Sequence, residues 1–273
     1  MADGERRMLF DTRGRRRNVI RVVYVILAVL MGGSLFLTVG PFNLSEIVGT
    51  GSTGEAADVF HDQEERLEER LAKEPNNEGL LLNLTRARIG AGQAQTDTNP
   101  QTGRLGVPPP EAQEDYDEAI ESWNRYLKLA GDEPSPSGAV LVAQTYFGLA
   151  EGGSVSFADV QENLEIALSA QRIAAKAQPN AGSLSNLAIY EYFNGNFEEG
   201  DKAAKRALAG VPKAQAKTAK KQLDEFRKNA KTYVAQSERF AKAEEQAGGG
   251  ASPGEFQNPF GGFGTGTPGA PAE

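Results

Sequence analysis

Cysteine is absent from this 273-residue chain, and histidine occurs once, at His61. The first absence excludes disulfides, thiolate metal sites, cysteine nucleophiles and a thioether-linked lipid anchor. The second leaves no histidine pair or cluster for metal binding or proton relay. Walker loops, Ser/His/Asp signatures and zinc spacings are missing as well. A formal G-x-G-x-x-G occurs at Gly49, Gly51 and Gly54. No strand pattern precedes it and no βαβ unit follows, so it carries no expectation of a dinucleotide. The sequence therefore predicts no enzyme, no cofactor, no metal and no small-molecule substrate.

Charge is unevenly distributed. The net charge is −8, yet residues 1–21 hold seven arginines against Asp3, Glu5 and Asp11, about +4, leaving about −12 for the rest. An acidic body of that kind is repelled by nucleic acid, which is excluded as a partner. The arginines stand against an uncharged run, Val22 to Val39. Eighteen residues at 1.5 Å each span about 27 Å, and Val19 and Ile20 extend the run to the thickness of a hydrocarbon core. The run is too long for a cleaved signal peptide, and Leu37-Thr38-Val39-Gly40 is a poor exit from one. Residues 1–18 are thus expected as a basic cytoplasmic tail and 19–40 as a transmembrane signal anchor. Everything after Gly40 is then expected outside the cytoplasm, in a single-pass protein of the plasma membrane.

Residues 41–54 are polar and Gly-rich and read as a linker. Residues 248–273, rich in Gly and Pro and punctuated by Phe256, Phe260 and Phe263, read as a disordered tail. Between them, 55–247 is helical in pattern throughout, with apolar residues recurring at i, i+3 and i+4 and no sustained alternation. Turns are marked by Pro75-Asn76-Asn77, Gly131-Asp132-Glu133-Pro134, Glu151-Gly152-Gly153, Pro179-Asn180 and Asn194-Gly195-Asn196. Within the first helix His61 reads as a surface histidine, and Glu64, Glu65, Glu68 and Glu69 as a solvated acidic face.

Repetition is visible inside the helical region. From Asn186 to Pro212 the chain runs NLAIYEYFNGNFEEGDKAAKRALAGVP. Leu187, Ala188 and Tyr192 fall on a first helix, Gly195-Asn196-Phe197 on a turn, and Gly200, Ala204, Ala207 and Leu208 on a second helix ending at Pro212. This stretch resembles the tetratricopeptide (TPR) repeat over nearly its whole length, and Pro179 precedes Pro212 by one repeat. Pro75-Asn76-Asn77 with Leu81, Leu82, Asn83, Leu84, Ala87 and Gly92 resembles another first helix. Its second helix is expected from Asp115 to Leu127, after an inserted loop at 93–113. A third copy runs from Ala139 to Leu149, then from a Ser156-x-x-Asp159 capping pattern to Ala177. Lys213 to Gln246 reads as a polar terminal helix that closes the stack, within a terminal segment of 213–247. The expected fold is all-α: a TPR-like antiparallel helical-hairpin solenoid with a C-terminal capping helix, preceded by one transmembrane helix.

In TPR proteins the first helices line a groove that holds extended peptides or partner helices. Carried onto the matched segments, the resemblance implies Leu82, Asn83, Arg86 and Ile89 in one copy, Val140, Gln144 and Phe147 in the next, and Ser185, Asn186, Ile189 and Tyr192 in the last. The same positions equally suit packing between repeats. The lysines of a carboxylate clamp are missing from them. The order of parts resembles bacterial single-pass TPR proteins at the secretion translocon, which implies a scaffold binding a protein or peptide in the cell envelope. The alternative is a structural component of an envelope or division complex acting through its membrane helix and tail.

Overall fold

The computed structural model describes residues 53–99, 103–154 and 156–246. Among them every regular element is helical, and pairing between extended segments is confined to one antiparallel bridge, Thr98 with Leu105. The expected anchor at 19–40 and tail at 248–273 lie outside the described residues. Among those that are described, no helix is long and apolar enough to cross a membrane.

Eight α-helices follow one another: α1 Thr53–Lys73, α2 Glu78–Gln95, α3 Pro110–Ala130, α4 Pro136–Gly148, α5 Phe157–Ala177, α6 Ala181–Phe193, α7 Phe197–Ala209 and α8 Lys213–Gln246. Their starts follow from local chemistry. The Asn77 side chain accepts the Leu80 amide at 3.1 Å and so satisfies one of the donors that a helix start leaves open. Ser156 and Asp159 bond each other's backbone amides at 3.1 and 2.9 Å, a reciprocal capping box, and Asn180 with Ser183 forms a second. Pro110 and Pro136 occupy first turns, where a missing N–H costs nothing. This shortens the expected loop of 93–113 at both ends, to residues 96–109. Gly195 turns the chain between α6 and α7 at φ +80°, a conformation that side chains with a Cβ rarely adopt.

The helices pack in sequence as antiparallel neighbours, α1 on α2, α2 on α3, α4 on α5 and α6 on α7. Direction is read from side-chain partners. In α2 and α3, Arg88 bonds Ser122 and the Glu118 carbonyl while Thr96 lies against Tyr116, so the numbers run oppositely. In α2 and α4 they run together: Arg86 Nη2 donates to Ser137 at 3.1 Å and Gln93 to Thr145 at 3.2 Å. Phe147 of α4 stacks on Tyr190 of α6, centroids 4.2 Å apart and planes 4° from parallel. α2 and α4 therefore point the same way, α6 meets α4 through that ring stack, and α8 packs on α6 through Tyr233 against Phe193.

Small residues set the spacing within this stack. Ala139, Ala143, Ala167, Ala188 and Ala207 have no measurable exposure, while Tyr116, Trp123, Leu81 and Leu84 fill the gaps between them. Burying one such large side chain stabilises the fold by about 1.5–3 kcal/mol. Tyr146 reaches across to donate to the Tyr116 carbonyl, which satisfies its hydroxyl inside the core.

Two features break the plain hairpin pattern. A π-helical turn, Leu149–Gly153, carries α4 towards α5. Gly152 within it has no side chain because the Leu105 carbonyl occupies the space a Cβ would need. The 96–109 loop is thereby docked onto the turn, with Asn99 donating to the Arg104 carbonyl at 2.8 Å and Gly106 to the Asp97 carbonyl at 2.7 Å.

The last hairpin is tied to α8 by Asp201, which accepts Arg227 at 2.7 and 2.8 Å and the Tyr192 hydroxyl at 2.9 Å. Those donors, Arg227 first, hold the Asp201 carboxyl below its ordinary value of 3.8. A carboxylate lowered in the folded state contributes stability that is complete above its unfolded pKa and lost as pH falls through the lower folded value. The stability difference between the wild type and Asp201→Asn should thus be constant from pH 7 to about 5. It should shrink below about pH 4, in urea titrations followed by circular dichroism.

Candidate functional site

The residues of the predicted groove lie on α2, α4 and α6. Its eleven predicted residues divide four ways. Val140 and Gln144 are exposed on the outer side of α4, and Val140 is 37% accessible. Asn83, Ser185 and Asn186 are half-buried beside them on α2 and α6. Leu82, Arg86 and Phe147 sit at the joints between neighbouring first helices. Leu82 reaches Gly138, Arg86 bonds Asn83 and Ser137, and Phe147 packs on Tyr190 and Phe193. Ile89, Ile189 and Tyr192 are 1%, 4% and 2% exposed and belong to the core. Those three are a correction to the groove assignment. Each lies one helical step away from the outward face, where rotation of the helix turns it onto its partner.

A 420 Å³ cavity opens on the other side, between the 96–109 loop, α3 and α5. Its walls combine Val107, Pro108, Ile120 and Ile166 with the carboxylates of Asp117, Asp159 and Glu162. Asp159 is engaged in its capping box, and Ser154 Oγ donates to the Leu149 carbonyl at 3.0 Å. The Ser154 hydroxyl also accepts Asn163 Nδ2 at 3.2 Å.

The polar cluster between α1, α2 and α3 was not foreseen from the sequence. His61 Nε2 lies 3.2 Å from Asp115 Oδ1, and Gln95 Nε2 donates to Asp115 Oδ2 at 2.6 Å. Glu64, one turn beyond His61, turns inward as well, and its Oε1 is sealed from solvent with no hydrogen-bond partner among the described residues. Burial first, and then the Asp115 carboxylate, push the Glu64 carboxyl up to about 7. Asp115 is also raised, mainly by burial, against the opposing hydrogen bond from His61. Nearby, Arg88 Nη2 bonds Glu68 at 2.7 Å and Glu118 at 2.8 Å. The reading of Glu64 as part of a solvated face is therefore corrected; His61 and Glu68 are exposed as expected, His61 pairing with Asp115 and Glu68 with Arg88. Only the His61-x-x-Glu64 spacing hinted at it; Asp115 is 54 residues from His61 in sequence.

No protein-family model, curated protein or solved structure matches this chain.

Proposed function

We propose that this chain is a non-enzymatic TPR-type scaffold, tethered by residues 19–40, that binds an extended peptide or protein segment along α2, α4 and α6 outside the cytoplasm. The observation that carries the reading is the parallel course of α2 and α4, with α6 meeting α4 at Phe147 and with Val140 and Gln144 exposed on α4. Half-buried Asn83, Arg86, Ser185 and Asn186 on either side offer hydrogen bonds to a backbone, and Leu82 and Val140 offer apolar contact. Tethering supplies the rest, because a site held at one membrane face meets membrane-bound partners at a raised effective concentration. Placement near the secretion translocon is the finer form of this proposal and rests on the order of parts.

A photo-crosslinking residue placed at Val140 or Gln144 in intact membranes should capture a protein partner. The same residue at Glu165, exposed on α5, should capture much less. Val140→Asp should lower the capture at Gln144 by at least about fivefold, a loss of about 1 kcal/mol in binding. Equal capture from both faces, or none from α4, would refute the groove.

A further inference from the structure

His61, Glu64 and Asp115 each offer one ligand atom, and the three atoms lie within 4.8 Å of one another. We propose that this cluster binds one first-row divalent cation of the zinc type, with these three side chains as its protein ligands. His61 and Glu64 stand three residues apart on one face of α1, and Asp115 meets them from α3, so the ion would join two helices.

Four observations support the assignment. The 3.2 Å between His61 Nε2 and Asp115 Oδ1 matches the edge of a tetrahedron with metal–ligand bonds of about 2.0 Å. Glu64 Oε1 is a buried oxygen without a partner, and a cation is what such an oxygen lacks. Gln95 already holds the second oxygen of Asp115, the outer hydrogen bond that orients a metal-bound carboxylate. The His61 side chain is 46% accessible, which leaves a path for the ion and room for water in the remaining position.

Charge and donor type select the ion. Two carboxylates and a neutral imidazole balance a divalent cation. Arg88 is the nearby competitor for Glu64: Glu68 and Glu118 hold its Nη2 at 2.7 and 2.8 Å, while its buried Nε has no hydrogen-bond partner among the described residues. Imidazole is a poor ligand for calcium and magnesium, which prefer oxygen donors, whereas imidazole with carboxylate suits zinc. Because the ligands come from α1 and α3, binding would also stabilise the docking of α1.

The inference is independent of the peptide groove and is tested on the untagged full-length chain in detergent micelles, freed of metal by a chelator. Titration with zinc chloride at pH 7.5 should show one saturable site per chain, with Kd in the micromolar range or tighter. His61→Ala, at a half-exposed position, should weaken it at least tenfold while circular dichroism shows unchanged helicity. Cobalt(II) should give visible absorption of a tetrahedral site in the wild type and lose it in His61→Ala, a readout that stands even if Asp115→Asn fails to fold. The absence of saturable binding, or equal affinity in His61→Ala, would overturn the proposal and leave the cluster as a hydrogen-bonded tie.

Discussion

Tyr192→Ala should destabilise the helical domain by about 3–5 kcal/mol, a large share of the total stability of an ordinary domain. Tyr192 is 2% exposed, and its ring lies over Gly200, where any Cβ would overlap it. The ring centroid is 6.1 Å from that of Phe197, and the hydroxyl donates to Asp201 at 2.9 Å. Asp201 in turn holds Arg227 of α8, whose guanidinium lies 5.8 Å from the Phe197 centroid. Truncation thus empties the α6–α7 joint and loosens the tie to the terminal helix together. Urea unfolding of the full-length chain, followed by circular dichroism, should show the midpoint fall. Tyr192→Phe removes only the hydroxyl and should cost about 1 kcal/mol. A loss of partner binding in Tyr192→Ala would consequently report unfolding of the last hairpin. The exposed Gln144→Ala should leave stability within about 0.5 kcal/mol and is the cleaner probe of the groove.

Arg172→Ala should cost about 2–3 kcal/mol, although Arg172 itself is 53% accessible. The reason is its partner. Glu191 is 3% exposed on α6 and receives Arg172 Nε and Nη2, both at 2.8 Å, with Asn196 Nδ2 at 2.9 Å. Removing the guanidinium leaves a buried carboxylate with a single neutral donor, and the penalty belongs to that stranded charge rather than to the lost contact. The exposed side of the pair is screened by water, which places the expected cost below that of a fully enclosed pair. Glu191→Gln in the Arg172→Ala background should recover part of the loss, because an amide is cheaper to bury than an unpaired charge. A double-mutant cycle on urea midpoints measures the coupling. A cost under about 0.5 kcal/mol for Arg172→Ala would mean that solvent reaches the pair and the carboxylate needs no partner.

Much of the helical architecture is legible in the residues. Periodicity sets all eight helices apart from strands, and Asn77, Ser156-x-x-Asp159 and Asn180 start α2, α5 and α6 where their side chains cap open amides. Gly195 and Gly200 fall in the turn and second helix expected for the last hairpin: one turns the chain at positive φ, the other admits the Tyr192 ring. Loop boundaries were less legible. Pro109-Pro110 reads as loop, yet Pro110 is in the first turn of α3, since a proline there loses no helical hydrogen bond. Glu151-Gly152-Gly153 reads as a turn, but its π-helical form and the Leu105 carbonyl packed where a Gly152 Cβ would stand are seen only in three dimensions.

The candidate site divides along the same line. By itself the sequence determined that α2, α4 and α6 are helices, because a 3.6-residue period and helix-start chemistry are local properties of the chain. It also set the capping residues and the small residues that allow close packing. Only the tertiary structure decided how far each helix is rotated about its axis, and one residue of rotation is about 100°. That rotation turns Val140 and Gln144 outward while Ile89, Ile189 and Tyr192 become core. Partner choice among charges was likewise decided in three dimensions. Arg172 finds Glu191, Arg88 finds Glu68 and Glu118, and His61 finds Asp115, because burial penalises any charge that packing leaves unpaired.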